Sequence, residues 1–162
     1  NDLYITWDDL NLYFGLAGPT LDDWAGDSSF FVCIDTDLTA GSGSSNDGYL
    51  LVDFDTDQFA PEYCYYFAGG AGFYEWSAWT GSDWNWSPDW INTGTYYNWS
   101  GNPGAIPGSE LTVVLSDIGD PAGVAVAAWL TAELDTEVLS AWPTTNPIGI
   151  APTFTDSYQY DF

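Results

Sequence analysis

The sequence predicts an all-β protein: a single antiparallel β-sandwich spanning residues 1–162. About ten short strands in jelly-roll or immunoglobulin-like layering are expected. Three observations predict this. Short apolar runs recur with the two-residue alternation of half-buried strands. Nine prolines and 17 glycines fall mostly between those runs, where turns need them. No stretch combines helical periodicity with caps, and there is no internal repeat.

Leu3, Ile5 and Trp7 alternate with Tyr4 and Thr6. Leu10, Leu12, Phe14 and Leu16 alternate with Asn11, Tyr13 and Gly15. Phe30–Ile34 is almost continuously apolar, the pattern of a strand buried on both faces. Gly41–Gly48 is a loop rich in glycine and serine that ends on an Asp-Gly turn signal. Further strands are expected at Tyr49–Asp55, Tyr63–Ala68, Phe73–Trp79, Thr95–Trp99, Glu110–Leu115 and Val124–Thr131. A last alternating stretch runs from Phe154 to Phe162. Ser116–Gly119 suits a short helical turn, and Glu133–Leu139 is ambiguous. A strand at either end would complete the domain's own sheet or pair with the sheet edge of a neighbouring subunit.

Charge narrows the setting. The chain has no Lys, Arg or His and carries 24 carboxylates, for a formal charge of −24. No side-chain salt bridge can form, so each carboxylate must be solvated, hydrogen-bonded or bound to a cation. Uncompensated like charge opposes compaction. This composition excludes nucleic acid and anionic membranes as partners. No run approaches the roughly 18 apolar residues of a membrane-spanning helix, and membrane insertion is not expected. Hydrophobic residues make up 46% of the chain and aromatics 19%, which separates it from a disordered acidic tail. Met is absent, even at position 1, so the chain reads as an extracellular or cell-surface protein after leader removal.

The two cysteines, Cys33 and Cys64, both sit in strand-like segments. In an exported protein they are expected to form a disulfide. A catalytic thiol is disfavoured, because no His or Lys is present to lower its pKa.

Two acidic ladders are candidate metal ligands. Asp53, Asp55 and Asp57 recur at every second residue, and in an extended strand their side chains would line one face about 7 Å apart. Asp35 and Asp37 repeat the spacing, and Asp47 lies in the loop between the ladders. Hard oxygen donors of this kind suit calcium. An EF-hand is excluded, since Gln58 and Cys64 stand where Gly and Glu would be needed. The alternative role for these aspartates is turn capping.

Six of the ten tryptophans lie between residues 76 and 99: Trp76, Trp79, Trp84, Trp86, Trp90 and Trp99. Core packing, subunit contact and stacking on glycans all use such residues. Asn98-Trp99-Ser100 is an N-glycosylation sequon. Without His, Lys or Arg the familiar catalytic sets are missing. Only glycoside hydrolysis by two carboxylates remains, and nothing marks a pair among Glu62, Glu75, Glu110, Glu133 and Glu137. The chain is therefore expected not to be an enzyme.

Three segments carry a family resemblance: residues 2–15, residues 26–37, and the strand Glu110–Leu115 with the Ser116-Asp117-Ile118-Gly119 turn after it. They resemble DOMON-like and family 9 carbohydrate-binding-module-like sandwiches. That resemblance implies an extracellular β-sandwich, often calcium-bearing, in a group that includes sugar binders and redox-cofactor binders. Its haem-binding branch uses His or Met ligands, which this chain lacks.

The expected function is structural: an exported subunit of a filament, sheath or surface layer, polymerising with copies of itself and stabilised by divalent cations. The alternative is a non-catalytic carbohydrate-binding or adhesive module that uses the Trp-rich segment 76–99.

Overall fold

A computed structural model describes residues 2–17, 29–49, 52–68, 73–87, 96–100, 108–132 and 137–162. The described fold is all-β and mostly antiparallel, with two main sheets in a sandwich-like arrangement.

The first sheet has the order β1-β2-β9-β8, built from β1 (Asp2–Trp7), β2 (Asn11–Ala17), β8 (Tyr96–Ser100) and β9 (Gly108–Val114). The second has the order β11-β10-β3-β5-β6-β7. Its strands are β3 (Ser29–Asp35), β5 (Tyr63–Ala68), β6 (Phe73–Trp79), β7 (Trp84–Ser87), β10 (Gly123–Thr131) and β11 (Val138–Trp142). The last strand, β13 (Tyr158–Asp161), pairs with the start of β10, while β11 pairs with its end. A parallel pair of two-residue strands, β4 (Asp53–Phe54) and β12 (Thr153–Phe154), stands apart.

Burial follows the residue pattern. β2 alternates between buried and half-buried positions, so its Leu12, Phe14 and Leu16 enter the core between the sheets with Leu111 and Val113 of β9. β3 and β10 are buried at every position. Their even-numbered residues, among them Phe30, Val32, Val126 and Ala128, face the first sheet. Phe31, Cys33, Ala127 and Trp129 face a second core, closed by Val52, Phe54, Phe59 and Phe154. Trp129 is fully buried there and stacks on Phe31 at 4.9 Å with 3° between the planes. The second sheet is thus the middle layer, and Val52, Phe54 and Phe59 of the segment 52–60 cover the second core.

Several expectations need correction. Tyr49–Asp55 is a strand only at Asp53–Phe54. The backbone then turns, with the amides of Gln58 and Phe59 donating to the Asp55 carbonyl at 2.9 Å. Asp53, Asp55 and Asp57 therefore do not form a ladder on one strand face. Phe154–Phe162 is two strands interrupted at residues 155–157, not one. β7 and β11 were not expected. The helical turn at 116–119 is present as a 3-10 turn over Leu115–Ile118, ended by Gly119 at φ 88°. That left-handed conformation is open to glycine at little steric cost. Both terminal strands, β1 and β13, pair within the chain.

Candidate metal centre

The cysteines set the geometry of the site. Cys33 and Cys64 face each other across β3 and β5 and form a disulfide with their Cα atoms 4.1 Å apart. The ladder continues to Ile34 opposite Tyr63. The regular pairing ends there, and the Glu62 amide donates to the same Ile34 carbonyl at 3.0 Å, out of the register of the ladder. Asp35 and Glu62 thus leave the end of the ladder two residues beyond the disulfide, with carboxylate oxygens within 4.8 Å of each other. Like charges this close repel.

Asp37 joins them because the chain bends after β3. Asp35 Oδ1 accepts from the amides of Asp37 and Leu38 at 3.2 and 2.7 Å, and Oδ2 accepts from the Ala60 amide at 3.3 Å. Leu38 takes a left-handed φ of 54° in this turn. Glu62 Oε2 accepts from the Thr36 amide at 2.8 Å and from its hydroxyl at 3.2 Å. Asp35, Asp37 and Glu62 each bring one carboxylate oxygen into a group whose atoms all lie within 4.8 Å of one another. Among the described residues, this is the group of three or more potential ligands spaced to hold one ion.

Proton counting at Ser42 exposes a deficit. Its Oγ lies 2.8 Å from Asp37 Oδ1 and 2.8 Å from Glu62 Oε1. A serine hydroxyl carries one proton and can donate to only one of them. The other contact needs a proton on a carboxyl group or a cation beside it. Burial pushes the Asp35 carboxyl above its ordinary pKa, against the amides of Leu38, Ala60 and Asp37, and the Asp37 charge adds to the rise. Burial also raises Glu62, against its bonds from Thr36 and Ser42, with the Asp35 and Asp37 charges adding. A hard cation ligated by all three oxygens would relieve the repulsion without a proton.

In cation-free protein the folded state holds protons on Asp35 and Glu62 above the pH at which the unfolded chain releases them. These two groups therefore make stability fall as pH rises through that window, and grow as pH falls. Chelator-treated protein is expected to gain melting temperature as pH is lowered from neutral toward the ordinary carboxylate range, at about 0.15 M salt to screen the remaining charge. The gain should be smaller in a Glu62→Gln variant. Added calcium should raise the melting temperature more at the higher pH, where protons no longer compete for the oxygens.

Gly43 sets how closely the loop approaches. A Cβ there would overlap the Ala60 carbonyl and lie 2.5 Å from the Pro61 oxygen, beside the 3.0 Å bond from the Ser44 amide to that oxygen. Gly43→Ala is expected to destabilise the fold by about 1–3 kcal/mol through overpacking, read by urea denaturation. It should also weaken cation binding, because Ser42 and Glu62 flank the displaced contact.

The other candidate residues lie elsewhere. Asp47 is fully buried, and its Oδ1 accepts from the Tyr49 amide at 3.0 Å. Asp55 Oδ1 accepts from the Asp57 amide at 3.2 Å, and Asp53 is exposed. None of these four belongs to the three-carboxylate group. In the sequence Glu62 reads only as a candidate acid. It is placed by the end of the β3–β5 pairing, where its amide donates to the Ile34 carbonyl, and by the bonds its carboxylate accepts from Thr36 and Ser42.

In the Trp-rich segment, Trp84 is buried and its indole donates to the Asn46 carbonyl at 2.9 Å. Trp79 and Trp86 pack on the second core. Trp76 packs on the core between the sheets, over Tyr63 and Tyr65. Trp90 lies outside the described residues, as do the side chains of Asn98 and Trp99.

No family model, curated protein or solved structure matches the chain. The disulfide is of a kind that persists in oxidising compartments. Among the described residues, no helix is long and apolar enough to cross a membrane.

Proposed function

We propose that this chain is an exported structural subunit that assembles with copies of itself into a filament, sheath or surface layer. A divalent cation, calcium by the hardness of the donor set, binds at Asp35, Asp37 and Glu62 and holds the subunit in its assembling form. One observation carries the assembly reading. From Val138 to Thr155 the chain has no carboxylate, and here it exposes Leu139, Ile148 and Ile150 at 44, 63 and 81%. The bridge between Val138 and Gly149 holds these residues close together. On a molecule of charge −24, such a neutral apolar shelf is where a second copy can approach with least repulsion.

Electron microscopy of the protein in millimolar calcium, repeated after chelation, tests the reading. Ordered polymers in calcium that disperse on chelation are expected. Polymers that survive chelation would remove the cation from the account. Dispersed monomers in both conditions would overturn the structural role.

A further inference from the structure

Where β1 ends, at Trp7, an open cavity of about 490 Å³ lies between the β1–β2 turn, the segment after the 3-10 turn and the C-terminal residue. Its lining includes Trp7, Asp8, Asp9, Leu115, Asp120 and Phe162. Two tight turns build it. The Asp8 amide donates to the Asn11 carbonyl at 3.0 Å where β1 turns into β2, and the Asp120 amide donates to Leu115 at 2.9 Å after the 3-10 turn. The Phe162 amide reaches the Ala122 carbonyl at 3.0 Å, which carries the phenyl ring to the rim.

Trp7 and Phe162 form an aromatic corner, with centroids 5.8 Å apart and planes inclined at 56°. Tyr160 backs Trp7 at 5.2 Å. The two rings remain 41 and 40% exposed, and both line the cavity. The Tyr13 hydroxyl donates to Asp8 Oδ2 at 2.7 Å, and the amides of Leu10 and Asn11 donate to Oδ1 at 2.8 Å. Led by the Tyr13 bond and then that of Leu10, these contacts hold the Asp8 carboxyl below its ordinary pKa. Its charge is therefore fixed at neutral pH.

We propose that this cavity binds an organic ammonium ion, with the group seated against the Trp7 and Phe162 rings and neutralised by Asp8, Asp9 and Asp120. Ring faces attract cations through their quadrupole, and indole does so best. The named lining offers no side-chain hydrogen-bond donor other than the indole N–H, so it suits neither an anion nor a sugar that must both donate and accept. A hard metal ion would gain nothing from two apolar rings. The chain has no Lys or Arg of its own to fill the place, and its net charge concentrates cations around it. This site is separate from the three-carboxylate group and does not depend on the assembly reading.

Isothermal titration of the intact chain with choline, its neutral isostere 3,3-dimethylbutan-1-ol, and n-butylammonium tests the proposal, at about 0.15 M salt to screen diffuse binding. Saturable binding of at least one ammonium is expected, about tenfold tighter than the isostere. Trp7→Ala should weaken it about tenfold. Asp120→Asn should weaken it several-fold while keeping the fold, because asparagine tolerates the left-handed φ of 50° at that turn. Tighter choline would assign a quaternary head group, and tighter n-butylammonium a primary amine such as a lysine side chain. Equal binding of the isostere, indifference to both substitutions, or no saturable binding would each overturn the proposal.

Discussion

Asp35→Ala is expected to destabilise the fold by about 3 kcal/mol or more. The carboxylate is buried and accepts from three amides, those of Asp37, Leu38 and Ala60. Its removal leaves three N–H groups without their acceptor, of which the Ala60 one is buried and costs about 1–3 kcal/mol, while those of Asp37 and Leu38 can be partly repaired by water. Relief of repulsion from Glu62 and Asp37 offsets part of this. Asp35→Asn separates the two contributions. Its amide oxygen can still accept from Asp37 and Leu38, but its Nδ2 then meets the Ala60 N–H, donor against donor. In chelator the Asn variant should therefore lose only about 1 kcal/mol. In calcium both variants should fail to gain the stability that the parent gains. Chemical denaturation with and without calcium reads all of these.

The second large effect belongs to the disulfide. Cys33→Ala/Cys64→Ala is expected to lower stability by about 3–4 kcal/mol, as the chain-entropy model gives for a sequence separation of 31. Both cysteines are fully buried, so dithiothreitol should act on the native protein only through unfolding. Calcium affinity should fall as well, because the bridge ties β3 to β5 two residues from both Asp35 and Glu62. A double variant that loses stability yet binds calcium as the parent does would contradict that coupling. Urea midpoints and calcium titrations of the same preparation give both readings.

How much of this was legible in the sequence depends on where the information sits. The continuous apolar run at Phe30–Ile34 announced a strand buried on both faces, and β3 is one. The alternation of Leu12, Phe14 and Leu16 announced a half-buried strand, and β2 is one. Both patterns are local. β11 was hidden because it begins inside the ambiguous Glu133–Leu139 segment and sets exposed Leu139 beside buried Val138, which blurs the period of two. β7 was hidden because its two indoles read as contact surface, whereas Trp84 is packing and loop anchor. The spacing of Asp53, Asp55 and Asp57 misled because two-residue periodicity implies one face only while the chain stays extended, and here it turns after Phe54. Asp35 and Asp37 were visible as a pair. Glu62 was not, because its place depends on pairing between β3 and β5 and on a loop that brings Ser42 between two carboxylates.

The cation proposed at Asp35, Asp37 and Glu62 is open to direct measurement. Calcium titration calorimetry on chelator-treated protein, at about 0.15 M monovalent salt so that diffuse binding is screened, tests it most directly. One saturable site per chain is predicted, with weaker binding of magnesium, which demands near-ideal octahedral geometry. That site should vanish in Asp37→Asn/Glu62→Gln. A flat titration, or one that the double variant leaves unchanged, would contradict the account.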